Sequence, residues 1–169
     1  MPNKPELRST LLDLSFTPSL EQVSTVRRFL EEFCQPVLND PDMVCRMAIA
    51  THELLENASK YSVVGGAPSR LQLSIHQNGH GKELSIKVSN VPAPEHVGDL
   101  KATVAGVTEP EDAAQAYQLH MVAAALRGEG SGLGLARIRA EAEMSLALTI
   151  NEPYACVEAV ATFGEGGEP

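Results

Sequence analysis

Leu11, Leu12, Leu14 and Phe16 form a short apolar run that stops at Thr17-Pro18, where a residue lacking an N–H ends sheet pairing, so the run predicts a strand. Ser19 stands as a cap before a segment in which Leu20, Val23, Val26, Leu30 and Phe33 recur at helical spacing, while Glu21, Thr25, Arg28 and Glu32 take the other face. Asp40-Pro41 reads as a cap followed by proline at the first helical position, opening a longer helix that runs to about Tyr61. Leu71, Leu73 and Ile75 then alternate with polar residues, Asn78-Gly79-His80-Gly81 turns the chain, and Leu84, Ile86 and Val88 alternate again, which predicts a β-hairpin.

From Ser89 to Pro110 the periodicity is lost among prolines and glycines, and a long irregular loop is expected, of the kind that carries function in a compact domain. Ala113 to Leu126 reads as helix. A glycine run from Gly128 to Gly134 leads into a short helix through about Ala142, and two strands follow at Leu146 to Ile150 and Val157 to Phe163. Gly164 to Pro169 is expected to be a disordered tail, and no internal repeat is present. Hairpin strands with helices placed between them imply an α+β class: a two-layer sandwich of a mixed, mostly antiparallel sheet with helices on one face.

Composition narrows the function classes. At 169 residues, with 43% hydrophobic and 21% charged positions, residues 1–169 are expected to form one domain with enough apolar surface for a core. The net charge of -9, with no basic run longer than Arg27-Arg28, argues against nucleic acid as a partner. The opening residues lack the apolar core of a signal peptide, and Met121 to Leu126 is too short to span a bilayer, so a soluble, cytoplasmic protein without a membrane partner is expected. Cys34, Cys45 and Cys156 are odd in number and lack CxxC spacing, which reads as reduced thiols in the core.

The chemistry concentrates in two places. Within Thr51 to Tyr61, Glu53 and Asn57 stand four apart and share one helix face. A carboxylate there can orient or deprotonate a nucleophile, and a neutral amide oxygen one turn on can ligate Mg²⁺ without repelling phosphates; a solvated helix face is the plain alternative. A zinc-protease helix is excluded because Glu56 stands four after His52, where a second imidazole is needed. His52-Glu53 also lacks the Arg and Pro that follow the phosphoacceptor histidine of histidine kinases, and His52 reads as a surface or packing residue. The second place is Gly128-Glu-Gly-Ser-Gly-Leu-Gly-Leu135, where glycines let backbone amides approach phosphate oxygens at a helix start. It is neither a P-loop nor a dinucleotide fingerprint, because Gly-Lys-Ser/Thr is missing and the glycine spacing differs. Alone, it reads equally as a linker.

Together, in this order, the two motifs resemble the N-box (E-x-x-x-N) and G2 box (G-x-G-L-G-L) of the GHKL, or Bergerat-fold, ATPases, over roughly Leu11 to Phe163. The short leading strand and the helix from Ser19 resemble the anti-sigma-factor serine kinases within that superfamily. The resemblance implies ATP and Mg²⁺ as cofactors, Glu53 as general base, Asn57 as Mg²⁺ ligand, Lys60 as a phosphate contact and Tyr61 beside the nucleotide. Gly130, Gly132, Leu133 and Gly134 would hold phosphates, and the Ser89 to Leu126 stretch would be a lid over them. It further implies a regulatory protein partner and allows a homodimer. The G1 motif, D-x-G-x-G, departs from the pattern: Asn90 takes the Asp position that reads adenine, and Pro92 and Pro94 take the glycine positions. Each proline fixes φ and fills space that glycine leaves open. Three readings stay open: an ATP-dependent protein serine kinase, a pseudo-ATPase that binds a partner with little or no nucleotide, and a detached histidine-kinase catalytic domain.

Overall fold

The computed structural model describes residues 7–78, 81–127 and 132–164. Gly79 and His80 of the expected turn, residues 128–131 of the glycine run with Gly130 among them, and the tail from residue 165 lie outside the described residues. In chain order the elements are β1 (Leu7–Phe16), α1 (Leu20–Leu38), α2 (Pro41–Tyr61), β2 (Ser69–Asn78), β3 (Gly81–Asn90), α3 (Pro94–Thr108), α4 (Ala113–Arg127), α5 (Leu133–Ala140), β4 (Ser145–Asn151) and β5 (Tyr154–Phe163). The strands form one open sheet in the order β1-β2-β3-β5-β4, and all four pairings are antiparallel.

The two-residue period of the strands sorts the layers. Register places Leu12, Leu73, Ile86, Ala159 and Leu146 in one row across the sheet, and Leu14, Leu71, Val88, Val157 and Leu148 in another. Helices cover these rows: α2 lies over β3 and β5, α3 and α5 lie against β4, and α1 packs on α2. Leu30, Leu55, Leu71, Leu73, Leu84 and Ile86 are fully buried between the layers, each contributing roughly 1.5–3 kcal/mol of transfer free energy. The intervening row, Asp13, Gln72, Lys87 and Glu158, takes the other face. There Arg70 holds Asp13 at 2.8 and 2.5 Å, and Ser85 Oγ donates to Glu158 at 2.5 Å. The α+β two-layer architecture read from the sequence is the one observed.

Both helix starts behave as their caps dictate. Ser19 and Gln22 cap each other reciprocally at the head of α1, and the Asp40 carboxylate accepts from Met43 N at 3.0 Å, with Pro41 filling the first position of α2.

Three expectations are corrected. The stretch from Ser89 to Pro110 is not an irregular loop, because α3 occupies fifteen residues of it. Pro94 sits in the first turn, where its missing N–H is not needed, and buried Val104 and Val107 offset the roughly 1 kcal/mol that Gly98 and Gly106 each cost inside a helix. Leu20 and Phe33 do not join the apolar face of α1: the buried face runs through Val23, Leu30, Cys34 and Leu38, and both Leu20 in the first turn and Phe33, one residue off that line, are exposed. Of the three free thiols only Cys34 lies in the core; Cys45 is exposed and Cys156 half-buried. No described helix is long and apolar enough to cross a membrane.

Candidate functional site

α2 supplies one wall of the site. Its flank toward α5 carries Glu53, Asn57 and Tyr61, and α5 is preceded by Gly132 at the cap position, whose φ of 98° is a left-handed conformation that favours glycine. That helix start has no side-chain cap. Asn57, Tyr61, Gly132, Leu133 and Gly134 line a cleft of about 500 Å³, closed on its other side by His96, Asp99 and Thr103 of α3 and His120 of α4. The cleft has the size of a small-molecule site, and its α5 end can hydrogen-bond an anion through first-turn amides. The fold therefore brings Glu53, Asn57, Tyr61, Gly132, Leu133 and Gly134 together, although 84 residues separate Glu53 from Arg137 of α5.

A recess of about 380 Å³ beside the cleft holds the charged groups. Glu53, only 8% exposed, accepts from Arg137 Nη1 at 3.0 Å, and Arg137 Nε donates to Glu141 at 2.7 Å. These hydrogen bonds, that to Glu141 first and that to Glu53 after it, hold the Arg137 guanidinium above its ordinary pKa. Gly134 packs on the same carboxylate: a Cβ there would come within 2.5 Å of Glu53 Oε2. Lys60 reaches the recess, but its Nζ lies 2.6 Å from Glu56, whose carboxylate raises the Lys60 pKa, and His52 Nε2 approaches the same residue at 3.5 Å. Tyr117 of α4 closes the rim; burial first, and a hydrogen bond to Glu141 second, push its phenol above the usual value.

The other end of the cleft is filled. Asn90, at the end of β3, donates from Nδ2 to Ser62 Oγ at 2.9 Å, and that hydroxyl donates to the Ala58 carbonyl at 2.5 Å. Val63 N–Val91 O and Ala93 N–Tyr61 O, both 2.9 Å, stitch the chain after β3 to the end of α2 and bury Pro92. His96 then meets Tyr61 edge-on with ring centroids 5.2 Å apart. The space left among Leu54, Val88, Asn90, Pro92 and Leu100 is about 30 Å³, room for one or two waters. The α5 end of the cleft could thus take phosphate oxygens on its first-turn amides, and the β3 end has no room for a base.

Sequence reading missed Arg137, Tyr117, His96 and His120. With Gly134 and Glu141, Arg137 forms an i, i+3, i+7 row on the side of the short helix that packing turns toward Glu53. His96 and Tyr117 face the site only because of where α3 and α4 pack. Among the described residues no cluster of three or more His, Cys, Asp or Glu could hold a metal.

No protein-family model matches the chain, and no curated protein does either. Among solved structures, the chain is similar to one chain of the SiaB–SiaC complex from Pseudomonas aeruginosa, with a TM-score of 0.65, 19% identity, 90% of this chain covered and 89% of that one. At that identity the likeness establishes a shared fold.

Proposed function

We propose that this protein is a cytoplasmic regulatory protein of the anti-sigma-factor, partner-switching type, which acts by binding another protein, and that its Bergerat-type cleft has lost the use of ATP as a substrate. The observation that carries this reading is the closed β3 end: Pro92 is buried, the Asn90 amide is committed to Ser62, and about 30 Å³ remains where a base would stack. The pairing of Glu53 with Arg137 supports it, because a carboxylate oxygen already occupied by a guanidinium is not free to meet an acceptor hydroxyl. The similar structure is itself a complex, SiaB–SiaC, which supports a protein as the partner.

A second reading, an ATP-dependent protein serine kinase, is favoured by one observation: Asn57 and Gly132 to Gly134 still meet across an open cleft of about 500 Å³. In that reading Asn57 ligates Mg²⁺, Lys60 and Gly132 to Gly134 hold phosphates, and Glu53 is the base. Calorimetric titration of the full chain with ATP and Mg²⁺ separates the two. No binding into the millimolar range is expected. Micromolar binding that Asn57→Ala abolishes would replace the first reading with the second, and Glu53→Ala would then have to lose phosphoryl transfer while keeping nucleotide.

A further inference from the structure

β4 closes the sheet on the α3 and α5 side, with β5 as its neighbour and no described strand beyond it. Its register decides which backbone groups are left over. Asn151 pairs with Tyr154 across Glu152-Pro153, and because proline has no N–H this can only be a pair that exchanges both of its hydrogen bonds. Alternation then commits Thr149, Ala147 and Ser145 to β5 and turns the N–H and C=O groups of Ile150, Leu148 and Leu146 outward. Among the described residues no loop or helix backbone takes up these groups.

The side chains of the same three residues point to the helix layer. Leu146 ends a row whose members Leu73, Ile86 and Ala159 are fully buried, and Leu148 ends the row that begins with buried Leu71 and Val88. Leu146, Leu148 and Ile150 are nevertheless half-exposed, so the cover that α3 and α5 provide stops short of the edge. The edge is also unguarded. Ser145–Asn151 contains neither a charge nor a proline, the residues that ordinarily keep a strand edge from pairing, whereas β1 at the other edge carries Arg8, Asp13 and a bulge between Thr10 and Leu12. Arg46 of α2 donates from Nε to the Ala142 carbonyl at 2.6 Å and from Nη2 to the Glu143 carbonyl at 2.8 Å, which fixes the chain as it enters β4. An edge already held in place loses little conformational freedom when it is paired.

We propose that β4 is the docking edge for an extended segment of a partner protein, which adds to the sheet as a further antiparallel strand. The proposal rests on the reading of this chain as a protein-binding regulator and names what the partner presents. The segment carries apolar residues at i, i+2 and i+4, set opposite Leu146, Leu148 and Ile150, so that both apolar rows gain a member and the outward N–H and C=O groups are satisfied. Its ends are basic, because exposed Glu143 and Glu152 bracket β4 in a chain of net charge -9. The same two acids decide against a second copy as the occupant. Antiparallel pairing of two β4 strands about Leu148 would bring Glu143 of each within one position of the second copy's Glu152, setting like charges together at both ends.

The test uses the full chain and the synthetic peptide Lys-Lys-Val-Thr-Val-Thr-Val-Lys-Lys, followed by fluorescence anisotropy and NMR amide exchange. Binding with a Kd on the order of 10–100 μM is expected. The amides of Leu146, Leu148 and Ile150 should slow at least about tenfold, while those of Ala147 and Thr149, already bonded to β5, should not change. N-methylation of the peptide valines removes the donors that face β4 and should abolish binding. Glu143→Lys combined with Glu152→Lys should weaken the peptide at least about tenfold and should take Glu-Glu-Val-Thr-Val-Thr-Val-Glu-Glu in its place. The proposal is overturned by no binding at about 1 mM peptide, by protection that falls on β1 or the cleft instead, or by an N-methylated peptide that binds equally well. Protection of the three outward amides that grows with protein concentration alone would also overturn it, in favour of self-pairing. Micromolar ATP binding would remove the regulatory reading and leave the peptide result standing, so the two fail separately.

Discussion

At the α5 end of the cleft the site is made of backbone: an uncapped helix start, a left-handed Gly132, and Gly134 pressed on Glu53. At the β3 end it is made of side chains, and they have closed it, with Pro92 buried and Asn90 bonded to Ser62. The same α2 residues, Asn57 and Tyr61, border both ends. The difference shows how two halves of one site can part company. A backbone cradle depends on a few glycines, whereas the space at the β3 end is set by side-chain volume, and buried Pro92 leaves little of it.

The walls of the cleft differ too, and that difference gives the largest expected effect. α2 buries ten of its residues, while α4 buries only Ala124 and exposes Leu119, Met121, Val122 and Leu126. Amides of α4 should therefore exchange at least about 100-fold faster than those of residues 47–58 in the free protein. α3 should fall between them, because Arg139 Nη1 holds the Val107, Thr108 and Pro110 carbonyls at 2.6, 3.3 and 3.1 Å. Equal protection of α4 and α2 would make the cleft a rigid scaffold and remove any lid.

Next in size is the Glu53–Arg137 pair. Arg137→Ala leaves the Glu53 side chain, 11% exposed, without its guanidinium, and a loss of about 2 kcal/mol in urea unfolding is expected, below the value for a fully buried pair because the Arg137 side chain is 42% exposed. An unchanged midpoint would mean that Glu53 is solvated and free to act as a base. At the closed end, Asn90→Ala removes one neutral hydrogen bond and should cost about 1 kcal/mol of stability with no effect on nucleotide. A change in ATP affinity without a change in stability would mean that Asn90 reads a base after all.

These contrasts also mark what the sequence could disclose. Caps, alternation and the four-residue spacing of Glu53 and Asn57 act within one or two turns, so the elements before Asn90 and the shared face of Glu53 and Asn57 on α2 were legible. α3 was hidden because its prolines and glycines mimic a loop, and only tertiary burial of Val104 and Val107 decides for helix. The closure of the β3 end was legible as two prolines in glycine positions, but its extent depends on how residues 91–93 pair with 61–63, a contact that no local pattern encodes. Arg137 bears on Glu53 through packing alone.

The smallest effect belongs to Lys60, which the resemblance made a phosphate contact and the structure pairs with Glu56 at 2.6 Å. The side chain is 41% exposed, so the pair is screened by solvent and its coupling, measured by a double-mutant cycle of Lys60→Met and Glu56→Gln, should be about 0.3–0.5 kcal/mol at neutral pH. Its pH dependence has a defined sign. The Glu56 carboxylate raises the Lys60 pKa in the folded state, so folding favours the protonated amine. The contribution is therefore fully present below the unfolded-state value of about 10.4 and lost as pH rises through the folded-state value. A coupling near zero at neutral pH would release Lys60 from Glu56 and leave it free to reach the Gly132 end of the cleft. The open end would then carry an unpaired cation, and the contrast with the closed end would be sharper than the ion pair now makes it.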